Sequence, residues 1–153
     1  MTELEQAKKG IITPPMKKAA RAEGVEPEMI RSGIDAGNIV ITRNRRHKSI
    51  NPLAIGKGLR AKVNANIGTS PDQQDVREEI KKLKAAIEVG ADTVMDLSTG
   101  GPVAKIRRAI MAESTVPIGT VPIYQAVVEA VKRKKSVVEL SVDEIFEVIE
   151  SQG

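Results

Sequence analysis

A repeated interval constrains this 153-residue chain more than its composition does. Asn66, Met95 and Tyr124 stand 29 residues apart, each at the end of a strand-like run. The runs are KVNANIG (Lys62–Gly68), ADTVMDLSTGG (Ala91–Gly101) and VPIGTVPIYQA (Val116–Ala126). Each leads into a helical pattern. Strand followed by helix at a steady period marks successive βα units, whose short connections imply a parallel sheet. In a barrel of such units, chemistry is built at the C-terminal strand ends. The interval therefore points to a pocket shared by Asn66, Met95 and Tyr124.

The elements follow from local signals. Lys62–Ile67 is the first predicted strand. Ser70 as N-cap and Pro71 as first helical residue open the next helix. Val76, Ile80, Leu83 and Ile87 fall on one face of it, and Glu78 is placed to pair with Lys82. Gly90 closes that helix in a left-handed cap. Thr93–Leu97 is the second strand, and Gly100-Gly101-Pro102 turns into a helix with Ile106, Ala109 and Ile110 on its apolar side. Ile118–Val121 is the third strand, followed by a helix from about Tyr124 to Val131. Ser141 and Glu144 form a capping box ahead of Ile145, Val148 and Ile149.

Residues 1–60 read as an irregular N-terminal segment. Short helices are expected over Met16–Ala22 and from Pro27 toward Gly33, a buried strand over Ile39–Ile41, and another short strand over Pro52–Ile55. Residues 61–153 read as the first βα units of an incomplete (βα)8 barrel. A whole barrel needs ~250 residues, and a sheet stopping here has an open edge. The expectation is the front part of a larger α/β protein.

Composition removes other classes. With 41% hydrophobic and 29% charged residues, the chain is ordinary globular material. No apolar run approaches the roughly 18 residues that span a membrane, so the default is a cytoplasmic protein. Cysteine is absent, which removes disulfides and thiolate metal sites from these residues. The net charge of +4 gathers in two knots, Arg43–Lys48 and Lys132–Lys135. One Tyr and one Phe supply little for stacking bases, so no nucleic-acid partner is expected. A single histidine, His47, makes neither a metal site nor a catalytic pair by itself.

Asn64 and Asn66, two apart on a strand, share a face, where they either meet a polar ligand or stabilise the turn. Met95 offers soft contact to a flat ring or simply packs in the core. Asp96 orients a ligand amine or pairs with a basic side chain, because a buried carboxylate needs a partner. Ser98-Thr99-Gly100-Gly101 precedes a helix and either receives an anion or forms an ordinary turn. Tyr124 offers a hydroxyl and a stacking ring.

The three runs, with AKKGIITPPM (Ala7–Met16), resemble the phosphomethylpyrimidine synthase family of thiamine biosynthesis. The resemblance runs from about residue 7 to the end. It implies a (βα)8 barrel in a homodimer. It also implies a radical rearrangement of 5-aminoimidazole ribonucleotide to hydroxymethylpyrimidine phosphate. In that family S-adenosylmethionine is cleaved at a 4Fe-4S cluster, and zinc is also bound. Asn66, Met95 and Tyr124 match substrate-contacting positions of the family.

Two departures stand out. The family's C-x2-C-x4-C motif and metal-binding histidines have no counterpart here, so no catalytic or metal residue is assigned and the isolated chain is expected to be inactive. Thr42–His47 (TRNRRH) departs from the family's IPAN-x-NH loop, which keeps a paralogous 5-hydroxybenzimidazole synthase as an alternative. A non-catalytic ribonucleotide-binding protein is the other.

Overall fold

A computed structural model describes residues 1–44 and 50–152. Residues 45–48 of the first basic knot, His47 among them, lie outside the described residues. The chain divides into two compact units: Met1–Val63 with Thr115–Pro117, and Asn64–Ser114 with Ile118–Gly153.

The first unit holds the two helices, lengthened, and the two short strands expected from its sequence, with one further helix at its start. Helices α1 (Glu3–Lys8), α2 (Pro14–Glu23) and α3 (Pro27–Asp35) precede an antiparallel pair, β1 (Ile39–Thr42) and β2 (Leu53–Gly56). The irregular N-terminal segment expected from sequence is thus corrected. Pro14 is not a breaker here, and Pro27 opens a helix as expected. Each occupies the start of a helix, where a missing N–H costs nothing. Thr13 Oγ1 accepts from the Met16 amide to cap α2. Met16, Ala19, Ala20, Ile30, Ile34 and Ile39 form the buried centre. Val40, 57% exposed, corrects the expectation of a wholly buried strand. Lys62 Nζ meets the Glu23 carboxylate at 2.9 Å, both side chains nearly enclosed, so Lys62 serves an ion pair and not the following strand.

The second unit is mixed α/β around a parallel sheet ordered β3-β4-β5. Its elements are β3 (Asn64–Ile67), α4 (Val76–Glu88), β4 (Thr93–Asp96), α5 (Val103–Glu113), β5 (Ile118–Thr120), α6 (Pro122–Lys132), a 3-10 turn (Val137–Glu139) and α7 (Val142–Gln152). Leu83, Val94, Ile106 and Ile110 are fully buried. Three parallel strands with crossover helices are the architecture established here.

Several local expectations need revision. Helix α4 starts late: Asp75, not Ser70, accepts from the Arg77 amide as N-cap. Ser70 and Gln73 instead close a turn on each other, Ser70 N to Gln73 O at 3.1 Å. Glu78 pairs with Lys81 at 2.7 Å, because Lys82 is taken by Glu79. Gly90 does adopt φ +94° past the end of α4. The Ser141–Glu144 capping box forms as read, with Ser141 N on Glu144 Oε2 at 2.9 Å. That backbone bond, aided by Lys135, pulls the Glu144 carboxyl down to about 2. Among the described residues no helix is long and apolar enough to cross a membrane.

Candidate functional site

Alternation along the strands sorts the sheet into two chemically different faces. The register pairs Asn64 with Thr93, Asn66 with Met95, and Met95 with Gly119. These five residues share one face. Asn64 and Asn66 are exposed there, and Met95 is half-buried. Thr93 Oγ1 donates to Asn64 Oδ1 at 2.8 Å, and Asn64 Nδ2 donates to Asn66 Oδ1 at 2.9 Å. The Met95 side chain lies over Gly119: a Cβ at position 119 would stand 2.8 Å from Met95 Sδ. Glycine within a strand here marks a close approach, not a weak strand.

Ile67, Val94 and Asp96 point to the other face, and all three are buried. Asp96 Oδ1 accepts both the Ser98 amide (3.0 Å) and the Ser98 hydroxyl (2.5 Å). Burial pushes the Asp96 carboxyl up; the Ser98 bonds oppose that, Glu79 adds repulsion and Arg107 attraction. Of the two readings of Asp96, the structure favours an internal role, with Ser98 as its main partner. Burial likewise pulls the Arg107 guanidinium down. That side chain donates to Gln125 Oε1 and to the Ser151 carbonyl.

The loops after β3 and β4 are laced together. Thr69 N donates to Ser98 Oγ, Thr69 Oγ1 to the Gly100 carbonyl, and Thr99 N to the Thr69 carbonyl, at 2.7–3.1 Å. Ser98 and Thr99 hydroxyls are both spent inside this lattice, which supports the ordinary-turn reading of Ser98–Gly101. Lys82 Nζ adds a bond to the Gly68 carbonyl at 3.3 Å while pairing with buried Glu79 at 2.5 Å. Gly68 cannot accept a side chain, because its Cβ would sit 2.6 Å from Ser98 N.

The structure brings Asn66 and Met95 side by side on adjacent strands. Tyr124 is placed differently. It lies in the first turn of α6 and not at a strand end, because β5 stops at Thr120 and Pro122 opens the helix. Met95 therefore pairs with Gly119, and the second 29-residue step is not a register step. Tyr124, 40% exposed, lines a largely apolar groove of about 520 Å³ with Pro71, Gly101, Val128 and Val131. Lys132 Nζ borders it, donating to the Gly101 carbonyl at 2.9 Å. The rest of that basic knot is partly neutralised: Arg133 and Lys135 both reach Glu144.

Sequence reasoning missed Thr93 and Gly119. The signal for Thr93 was its place two residues before Met95, hence on the same face. For Gly119 it was a glycine inside an otherwise β-branched run.

Fold and strand edge define the class: an α/β protein of successive βα units with a polar, open sheet face. The family is specific. Residues 2–153 match the family model described as "Radical SAM ThiC family", and the chain belongs to that family. It is 58% identical over 149 residues to the phosphomethylpyrimidine synthase of Geobacter metallireducens, covering 97% of this chain and 34% of that protein. It is 54% identical to a same-named protein of Thermus thermophilus, covering 100% of this chain and 35% of that protein. Against that of Pyrococcus furiosus it is 51% identical over 98% of this chain and 35% of the relative. The chain thus spans about a third of the length of the curated relatives it matches.

The family name implies S-adenosylmethionine and an iron–sulfur cluster. The 153 residues contain no cysteine, and no group of three or more His, Cys, Asp or Glu among the described residues is arranged to hold a metal ion. The residues of this chain do not fit a cluster.

Proposed function

We propose that this chain supplies one wall of the substrate site of a phosphomethylpyrimidine synthase, acting on 5-aminoimidazole ribonucleotide in thiamine biosynthesis. The observation that carries the reading is identity of 51–58% to proteins of that name across nearly all of the chain. In this reading the three-stranded sheet is the first arc of a (βα)8 barrel, and its open face looks into the barrel. Asn66 hydrogen-bonds the ribonucleotide, Met95 packs its thioether against the flat imidazole ring, and Tyr124 stacks or donates from the rim. Their contribution is to hold the nucleotide in one pose while radical chemistry, supplied by S-adenosylmethionine and residues elsewhere in the enzyme, proceeds on it. The enzyme works as a cytoplasmic homodimer.

The reading is tested in the full-length enzyme and in the 153-residue chain. Full-length protein under anaerobic conditions with reductant, S-adenosylmethionine and the ribonucleotide forms hydroxymethylpyrimidine phosphate. Asn66→Ala and Tyr124→Ala each lower kcat/KM by about tenfold or more. The isolated chain forms no 5′-deoxyadenosine. A benzimidazole product from the full-length enzyme would overturn the thiamine assignment, and unchanged kcat/KM in both variants would remove the site.

A further inference from the structure

Asn66 and Met95 are each the third residue of a four-residue strand, so each stands one residue from the end of the ladder between β3 and β4. Short strands open locally from such ends unless something beyond them holds. What lies beyond is a clasp. Ser98 Oγ accepts from the Thr69 amide at 3.1 Å and gives its own proton to Asp96 Oδ1 at 2.5 Å. Thr69 Oγ1 donates to the Gly100 carbonyl at 2.7 Å. These directions are obligatory, because an amide N–H can only donate and a backbone carbonyl can only accept. Thr69, Asp96 and Ser98 are only 3–5% exposed, so water does not readily replace the bonds. Glycines let the two loops interlock: a Cβ on Gly68 would stand 2.6 Å from Ser98 N, and one on Gly100 2.2 Å from the Ser70 carbonyl oxygen. Each loop seats a glycine against the backbone of the other.

We propose that Asp96, Ser98 and Thr69 are positioning residues for binding on the open face: their relay sets the spacing of the strand ends that carry Asn66 and Met95, so that one ligand meets both. The clasp holds β4 through Asp96, the neighbour of Met95, and β3 through Thr69, just past Asn66. The three residues act through the backbone and touch no ligand themselves. A contact made from two strands at once tolerates little change in their spacing, so loss of the clasp costs affinity even in a folded protein. The proposal rests on the reading that Asn66 and Met95 contact the ribonucleotide.

The test uses the full-length enzyme and two readouts. The first is amide hydrogen exchange. The Leu97 amide bonds the Ile67 carbonyl at 2.8 Å across the strand ends, and the Leu83 amide lies within α4. Ser98→Ala is expected to speed exchange at Leu97 about tenfold or more while leaving Leu83 unchanged. The second is binding of 5-aminoimidazole ribonucleotide. Ser98→Ala and Asn66→Ala each weaken it about tenfold. The double variant is also weakened about tenfold and not about a hundredfold, because a displaced Asn66 has no contact left to lose. Thr69→Val keeps the side chain's shape, deletes its hydroxyl and weakens binding several-fold, whereas Thr69→Ser keeps the hydroxyl and the affinity.

Additive losses in the double variant would overturn the proposal, because Ser98 would then act on stability and not on Asn66. Equal acceleration of the Leu97 and Leu83 amides would do the same. If Ser98→Ala does not fold, Thr69→Val and Thr69→Ser decide by the same two readouts. If the unsubstituted enzyme does not bind the ribonucleotide, the functional reading itself fails; binding that Ser98→Ala leaves intact sinks the clasp alone.

Discussion

The two faces of the three-stranded sheet turn the same short strands to opposite ends. On the helix-packed face the polar groups at the strand ends are absorbed: Asp96 holds Ser98, and Ser98 holds Thr69. On the open face the bonds among Thr93, Asn64 and Asn66 leave the exposed Asn66 amide with bonding capacity to spare. Buried polar groups are completed within the protein because leaving one unpaired costs about 1–3 kcal/mol. Exposed ones are free of that demand and remain available to a ligand. The helix-packed face therefore answers to stability and, in the proposed reading, the open face to binding.

The sharpest way to break this contrast is a pair of truncations. Ile106→Ala empties a fully buried position and is expected to cost about 2–5 kcal/mol in urea unfolding. Asn66→Ala is expected to change stability by less than about 0.5 kcal/mol while weakening ribonucleotide binding about tenfold or more. If Asn66→Ala were as destabilising as Ile106→Ala, the open face would be structural after all.

A smaller effect concerns Lys82, whose ammonium faces the enclosed Glu79 carboxylate and the Gly68 carbonyl. Lys82 is itself 44% exposed, so screening trims the pair's worth. Lys82→Ala should cost about 1–2 kcal/mol, mainly by stranding a carboxylate whose Oε2 already lacks a partner. Adding Glu79→Leu should recover most of that loss in the same unfolding assay. Failure to recover would show that Lys82 acts through Gly68 and not through charge.

How much of this was legible in the sequence depends on which face is considered. The apolar period of α4 and α5 located Leu83, Ile106 and Ile110, because burial imposes a helical rhythm that a sequence displays. The capping box at Ser141 was equally plain. Ser70 misled because Ser70 and Asp75 are both good caps, and the competition is settled by the turn that Ser70 makes with Gln73. Tyr124 misled because an apolar run carrying Pro122 looks continuous, although proline is well suited to open a helix there. Spacing put Asn66 and Met95 on neighbouring strands, where the register pairs them, but it did not bring in Thr93 and Gly119. Their roles arise from cross-strand register, which joins residues distant in sequence and leaves no local pattern.

Acidity offers a third test on the helix-packed face. Burial raises the Asp96 carboxyl in the folded protein, so between its unfolded and folded values the folded state holds the extra proton. Stability contributed by this group is therefore greatest in acid and falls as pH rises through the folded value. Asp96→Asn keeps an acceptor for Ser98 and removes the titration. Its stability relative to the unsubstituted protein should improve steadily as pH rises from about 4 toward neutrality, and unfolding curves at several pH values read that gap directly. A constant gap would mean that Asp96 reaches enough solvent to ionise at no cost.

The smallest expected effect on stability belongs to Gly119, and it sharpens the contrast most. A methyl group at 119 would press on Met95 Sδ at 2.8 Å and Cε at 3.1 Å. Those atoms are the far end of a flexible side chain, so Met95 can rotate away with little cost to the fold. Gly119→Ala should therefore leave the urea midpoint nearly unchanged, by less than about 0.5 kcal/mol. It should weaken ribonucleotide binding several-fold, because Met95 no longer lies where a ring would meet it. Stability lost without a change in affinity would reverse the assignment, making Met95 part of the sheet's packing and leaving Asn66 alone as the ligand-facing group on these strands.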